Sequence, residues 1–133
     1  MDFNLNLNLT NLSEIFGQFR ELPKVYKTER LILEKEITSD SVSNVYSILL
    51  RESKEQIGII NLLFDGEIWY QIYEDFRNKG YATEAVSKII SSNRNRGFYL
   101  VIDFRNKPSR KVAKKLGFKY KRRNGKLLIF SKP

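Results

Sequence analysis

Between Gln56 and Ile90 the apolar residues change their period once, and the change falls on a short basic loop around a glycine. Up to Tyr73 they form two strand-like runs, Gln56 to Phe64 and Glu67 to Tyr73, joined at an Asp65-Gly66 turn. Beyond Gly80 they recur at Ala82, Ala85, Val86, Ile89 and Ile90, the i, i+3, i+4, i+7, i+8 spacing of a helix. A strand that turns straight into a helix restricts the fold to layered architectures in which helices cover a sheet. It also makes a chemical site. The first N–H groups of a helix have no internal partner, and the helix dipole adds about half a positive charge there. In Phe76-Arg77-Asn78-Lys79-Gly80-Tyr81-Ala82-Thr83, Gly80 lets the backbone approach a ligand closely and Ala82 keeps the first turn small, while Arg77 and Lys79 add charge. A pyrophosphate fits such a place, although a plain strand-to-helix turn would use the same residues.

The rest of the chain extends this unit. Thr28 to Ile37 reads as a first strand and Val45 to Arg51 as a second, so that the first four strands form an antiparallel meander. Gly97 is expected to stop the first helix, and Phe98 to Phe104 is a dense apolar run suited to a buried strand. Lys107-Pro108-Ser109 opens a second helix, which Gly117 ends. Phe118 to Phe130 holds two strands around Asn124-Gly125, a pair that favours a type I′ turn. The fourth and fifth strands flank one helix as a β-α-β unit and should lie parallel. The expected fold class is therefore α/β (α+β): a mixed, mostly antiparallel sheet with a central β-α-β unit and helices packed on it. Ahead of this core, Phe3, Leu5, Leu7 and Leu9 alternate with asparagines like a strand, and Leu12, Ile15, Phe16 and Phe19 follow at helical spacing. Residues 1–24 thus read as an extension to a core at 28–133.

Size and composition bound the function. A chain of 133 residues fits one domain and buries about two-thirds of its unfolded surface. No apolar run approaches the 18 or so residues of a membrane span, and Asp2 followed by alternating Asn and Leu does not resemble a signal peptide, so a cytoplasmic protein is expected. With no cysteine and no histidine, thiolate metal sites, a covalent acyl-cysteine and the usual general base are removed. No metal is expected, and chemistry must run on carboxylates, hydroxyls, backbone amides and water. A net charge of +9 attracts polyanions, whether a phosphate-rich cofactor, nucleic acid or the ribosome. The lysines and arginines from Arg94 to Arg123 supply that charge, but no recognisable nucleic-acid module or aromatic-interleaved motif accompanies them, which ranks that partner last.

The R-x-x-G-x-A pattern from Arg77 to Ala82 resembles the acetyl-coenzyme A pyrophosphate loop of the GNAT acetyltransferase superfamily. Three further segments agree. Thr28-Glu29-Arg30-Leu31-Ile32-Leu33 resembles the opening strand of the branch containing ribosomal-protein N-terminal acetyltransferases, and Gly80-Tyr81-Ala82-Thr83-Glu84-Ala85 is the wording that branch favours. Asn106-Lys107-Pro108-Ser109 with Lys115-Leu116-Gly117-Phe118 is similar to its later signature. The resemblance implies acetyl-coenzyme A as co-substrate, lying where the fourth and fifth strands splay apart. Its pantetheine would meet backbone near Ile72 and its pyrophosphate Arg77, Asn78, Lys79, Gly80, Tyr81, Ala82 and Thr83, with Asn106 and Ser109 on the far side.

The implied reaction carries an acetyl group to an amine, which must attack neutral. A lysine amine of pKa about 10.4 is neutral in about one part in 2,500 at pH 7, a penalty near 4.6 kcal/mol; an α-amine of pKa about 7.8 loses only about 1 kcal/mol. The resemblance places a glutamate used by some members at Glu67, acting through water, while Ala113 stands where members that protonate the leaving thiolate carry a tyrosine. Ser109 or water is left for that task, since a thiol of pKa about 8.5 leaves without strong assistance. One departure stands out. Members normally carry helices between the first two strands, forming much of the acceptor site, whereas here only Thr38 to Asn44 separate Ile37 from Val45. Leu12 to Phe19 could supply that wall from its own chain or from the second subunit of a homodimer, or simply cover the sheet. A reduced acyl-coenzyme A-binding module without efficient catalysis is the alternative this departure supports.

Overall fold

The computed structural model describes residues 22–37 and 43–133, so the strand expected at 3–9 and the helix expected at 11–19 lie outside the described residues. Five strands run as an antiparallel meander in sequence order: β1 (Val25–Lys27), β2 (Leu31–Lys35), β3 (Ser43–Leu50), β4 (Gln56–Leu63) and β5 (Ile68–Ile72). A single 3-10 turn, Glu74–Phe76, leads to helix α1 (Tyr81–Ser92). Strand β6 (Phe98–Asp103), helix α2 (Lys107–Lys115) and the hairpin β7 (Lys119–Asn124) and β8 (Leu127–Lys132) complete the chain. The second sheet has the order β6-β8-β7, all antiparallel. This is the mixed α+β class expected, with helices packed on mostly antiparallel sheets.

The differences from the sequence reading have local causes. The strand expected over Thr28 to Ile37 is β2, Leu31–Lys35, and a strand that was not expected, β1, precedes it; the chain folds back at Thr28-Glu29-Arg30 and pairs from Val25↔Glu34 to Lys27↔Ile32. No glycine or proline makes this turn. The Thr28 backbone N–H donates to the Leu31 carbonyl at 2.9 Å, and the Thr28 hydroxyl accepts from the Leu31 N–H at 2.9 Å. Helix α1 ends at Asn93 rather than Gly97, because the Asn93 side chain donates to the Ile89 carbonyl at 2.8 Å. The final hairpin pairs Asn124 with Leu127, so its two central residues are Gly125 and Lys126. Only Gly125 has positive φ, +60°, which is the pattern of a type II′ turn with glycine first rather than the expected I′.

The β-α-β unit is present, but its two parallel strands touch at one place. Glu67 and Tyr99 form an isolated parallel bridge, with the Tyr99 N–H on the Gly66 carbonyl at 3.0 Å; beyond it the five-stranded and three-stranded sheets diverge. Alternation along the strands directs Ile60 and Leu62, Ile68 and Ile72, and Phe98, Leu100 and Ile102 into one core. Helix α1 seals it with Ala85, Val86 and Ile89, all fully buried. Ile89→Ala would leave a cavity there and cost about 2–5 kcal/mol. Tyr46 is also fully buried, its hydroxyl donating to the Pro23 carbonyl at 2.7 Å, which anchors the chain entering β1. Strands β2 and β3 pair directly, Lys35 with Tyr46, so they form a hairpin where relatives of the expected kind insert helices.

Candidate active site

The divergence of β5 from β6 opens a cleft of about 460 Å³, floored by β5 and bordered by the loop into α1 on one side and the start of α2 on the other. Of the residues expected to bind a cofactor, Ile72, Arg77, Asn78, Gly80, Tyr81, Ala82, Thr83, Asn106 and Ser109 line it. Lys79 and Glu67 are not among the lining residues. Tyr70, Gln71, Phe76, Pro108, Lys111 and Val112 also line it; Phe76 and Pro108 stand in the motifs read from the sequence, and none of the six was expected as a site residue.

The loop wall is built to leave donors free. Asn78 and Gly80 both take positive φ, 64° and 83°, a conformation asparagine tolerates and glycine adopts without cost. Gly80 is the N-cap of α1, and no side chain caps the helix; the first backbone bond is from Glu84 N–H to the Gly80 carbonyl, 3.1 Å. The N–H groups just before Glu84 therefore face a cleft at the positive end of the helix dipole. This uncapped start fits an anionic group such as a pyrophosphate. The Arg77 side chain crosses to β5, its Nε donating to the Ile72 carbonyl at 2.8 Å, so the outer guanidinium nitrogens are what Arg77 offers to the cleft. Lys79 takes part through its carbonyl, which accepts from Arg30 Nη1 at 3.0 Å.

Across the cleft the start of α2 is closed. Asn106 caps it by accepting from the Ser109 backbone N–H at 3.1 Å, and Pro108 lies in the first turn. The Ser109 hydroxyl is joined to that of Tyr70 at 2.9 Å, which ties α2 to the cleft floor. Burial pushes the Tyr70 phenol above its ordinary pKa, opposed by this bond, so it remains a neutral donor. Nothing in the spacing from Tyr70 to Ser109 could have signalled this pair.

Glu67 stands apart, five residues from Ile72, about 17 Å along an extended strand, at the apex where β5 and β6 are still bridged. Burial and the neighbouring Asp65 charge raise its carboxyl, while the Tyr99 hydroxyl at 3.4 Å opposes them. That hydroxyl is closer to Asp65, 2.5 Å, and this bond chiefly holds the Asp65 carboxyl low and the Tyr99 phenol high. Among the described residues no cluster of His, Cys, Asp or Glu is arranged to hold a metal ion. None of their helices is long and apolar enough to cross a membrane.

Comparison with known proteins bears on this geometry. The model of the acetyltransferase (GNAT) domain family matches residues 9–119. No curated protein matches significantly. Solved structures of similar fold include the acetyltransferase from Agrobacterium tumefaciens strain C58, with 18% identity, a TM-score of 0.70, and coverage of 85% of this chain and 95% of that one. The Salmonella typhimurium acetyl transferase that modifies the N-terminal serine of 50S ribosomal subunit protein L7/L12 has 16% identity and a TM-score of 0.56, over 68% of this chain and 63% of its own. The microcin C7 self-immunity acetyltransferase MccE, solved with acetyl-CoA and AMP, has 22% identity and a TM-score of 0.58, over 68% and 60%. At such identities the likeness concerns the fold.

Proposed function

Because this chain belongs to the acetyltransferase (GNAT) domain family and is an acetyltransferase, we propose that it transfers the acetyl group of acetyl-CoA directly to a primary amine within a ternary complex. The observation that carries this reading is the uncapped, glycine-led start of α1 opening on the cleft between the diverging sheets. The residues present suit the coenzyme. The free N–H groups of α1 and the outer nitrogens of Arg77 hold the pyrophosphate, Asn78, Gly80, Tyr81, Ala82 and Thr83 shape its seat, and the β5 backbone near Ile72 flanks the pantetheine. Lys79 contributes field from outside the cleft, and Asn106 and Ser109 form the far wall. Bound acetyl-CoA supplies the activated thioester.

The chain's own groups do the rest. Glu67, at the apex of the splay, takes through water the proton that the amine loses as its nitrogen bonds the acetyl carbon; its raised pKa makes it a better base than an ordinary carboxylate. Ser109 donates a hydrogen bond where the sulfur gains charge as the C–S bond breaks, and the thiol takes its proton from water. With no cysteine in the sequence, no protein thiol carries the acetyl group between substrates. An amino-terminal amine is the acceptor class favoured, since its deprotonation costs least; the Salmonella neighbour, which modifies an N-terminal serine, supports this. The chain works as one cytoplasmic domain.

The test is thiol release from acetyl-CoA against peptides with free amino termini, polyamines, aminoglycosides and free amino acids. Acceptor-dependent release with intersecting initial-rate lines is expected. Parallel lines with stable acetyl labelling of the protein would overturn direct transfer, and coenzyme binding without release for any acceptor would leave a binding module.

A further inference from the structure

Two stretches of sequence that lie 54 residues apart meet beside the anion seat. Glu84, in the first turn of α1, accepts from the Thr28 hydroxyl, from the Arg30 backbone N–H at 2.9 Å and from Arg30 Nε at 2.7 Å. The same guanidinium donates to the Lys79 carbonyl at 3.0 Å and lies over the Tyr81 ring, 4.3 Å from its centre. Arg30 therefore grips both sides of Gly80 and the carboxylate one turn above it, from a position in the turn between β1 and β2.

This arrangement answers a problem the loop sets for itself. A glutamate in the first turn favours the helix dipole, and for the same reason it opposes any anion bound there. Glu84 directly follows the N–H groups that face the cleft, and at a partly exposed site such a charge still acts over a few ångströms. The Lys79 carbonyl is a second negative pole at the mouth of the seat. Arg30 engages both.

We infer that Arg30 is a positioning residue for the coenzyme: it cancels the charge of Glu84 and holds the Lys79 carbonyl out of the cleft, so that the start of α1 keeps its net attraction for pyrophosphate. Thr28 completes the carboxylate's partners, which accounts for the joint presence of Thr28-Glu29-Arg30 and Thr83-Glu84 in one chain. The inference rests on the coenzyme reading above and adds to it a residue that does not line the cleft.

Charge cancellation and mere bracing of the fold differ in one respect: only the first is relieved by removing Glu84. The experiment measures coenzyme A affinity by calorimetry for wild type, Arg30→Met, Glu84→Gln and the double variant, with far-UV circular dichroism confirming the fold of each. Arg30→Met should weaken binding roughly 10- to 100-fold, as expected for lost contacts of a charged group. Glu84→Gln should stay within about threefold of wild type, and the double variant should bind at least about threefold more tightly than Arg30→Met. Should Arg30→Met fail to fold, Glu84→Gln still decides, since a tenfold loss in it would contradict an opposing charge. Wild-type binding in Arg30→Met would overturn the inference, and a double variant no tighter than Arg30→Met would overturn charge cancellation. A wild-type protein that takes up no coenzyme would instead overturn the coenzyme reading.

Discussion

The two helices that border the cleft begin in opposite ways. Helix α2 starts conventionally, with Asn106 satisfying the Ser109 N–H and Pro108 where a donor is not needed. Helix α1 starts on Gly80 with no side-chain cap, and its acidic residue is held by Arg30 on another element. A capped start is a structural asset with little left to offer a ligand. One that starts on glycine without a side-chain cap gives up only about a few tenths of a kcal/mol of local stability and leaves its donors open. On the proposed reading the contrast gives the pyrophosphate to α1 and the far wall to α2, and it can be broken experimentally.

The largest effect should come from filling the uncapped start. Gly80→Asn tolerates φ of +83°, and the nearest protein atom to an added Cβ is Arg30 Nη2 at 3.4 Å, an ordinary contact, so the fold should survive at a cost of about 1 kcal/mol. The new amide would occupy the donors, and coenzyme affinity measured by calorimetry should fall about 10- to 100-fold. Retained affinity would remove the loop from the pyrophosphate site. Next, Ser109→Ala keeps the α2 cap, which uses the backbone N–H, but deletes the hydroxyl facing Tyr70. Turnover should drop about tenfold while the melting temperature falls by a few degrees from the lost bond to Tyr70; unchanged turnover would make Ser109 a bracing residue only.

Asn106→Ala is the complement. It should cost about 1 kcal/mol, seen as a fall of about 3–6 °C in melting temperature, while coenzyme affinity moves less than threefold. A tenfold affinity loss there would erase the distinction between the two starts. The smallest effect is with pH. Burial tends to raise the Glu84 carboxyl, but the hydrogen bonds from Thr28 and Arg30 and the Arg30 charge outweigh it and hold the pKa below its ordinary value of 4.5. A depressed folded-state pKa contributes stability that is present above the unfolded value and is lost as pH falls through the folded one. Melting temperature should therefore fall on acidification below about pH 4.5, and less steeply in Glu84→Gln. Identical acid limbs in both proteins would show that Glu84 carries none of the loss.

How far this contrast could be read from sequence depends on the range of the interactions. The start of α2 was legible because a cap is local: Asn106, Pro108 and Ser109 lie within four residues. The α1 loop was legible for the same reason, from Arg77 through Gly80 to Ala82. Strand β1 was not, because it is only three residues long and the turn at Thr28 is closed by a threonine hydroxyl and polar residues rather than by glycine or proline. The Tyr70–Ser109 pair and the Arg30–Glu84 pair span 39 and 54 residues, and only the folded sheets bring them together. Glu67 was placed by resemblance, and the structure sets it at the strand bridge rather than in the cleft.

The order of the small sheet sets the order in which the molecule can assemble. Strands β6 and β7 do not pair with each other; both wait for β8, made after them, to enter between. The five-stranded meander needs only neighbours in sequence, and such local pairing is fast. A nascent chain can therefore hold a finished large sheet while β6, among the described residues, has only the single Glu67–Tyr99 bridge to it and no strand paired along its length. Until Leu127 to Lys132 has left the ribosome, β6, which leads into the α2 wall of the cleft, is hydrogen-bonded to the large sheet only at that bridge. A stalled or shortened product lacking that strand would carry β6 and β7 without their shared partner, strand edges prone to association.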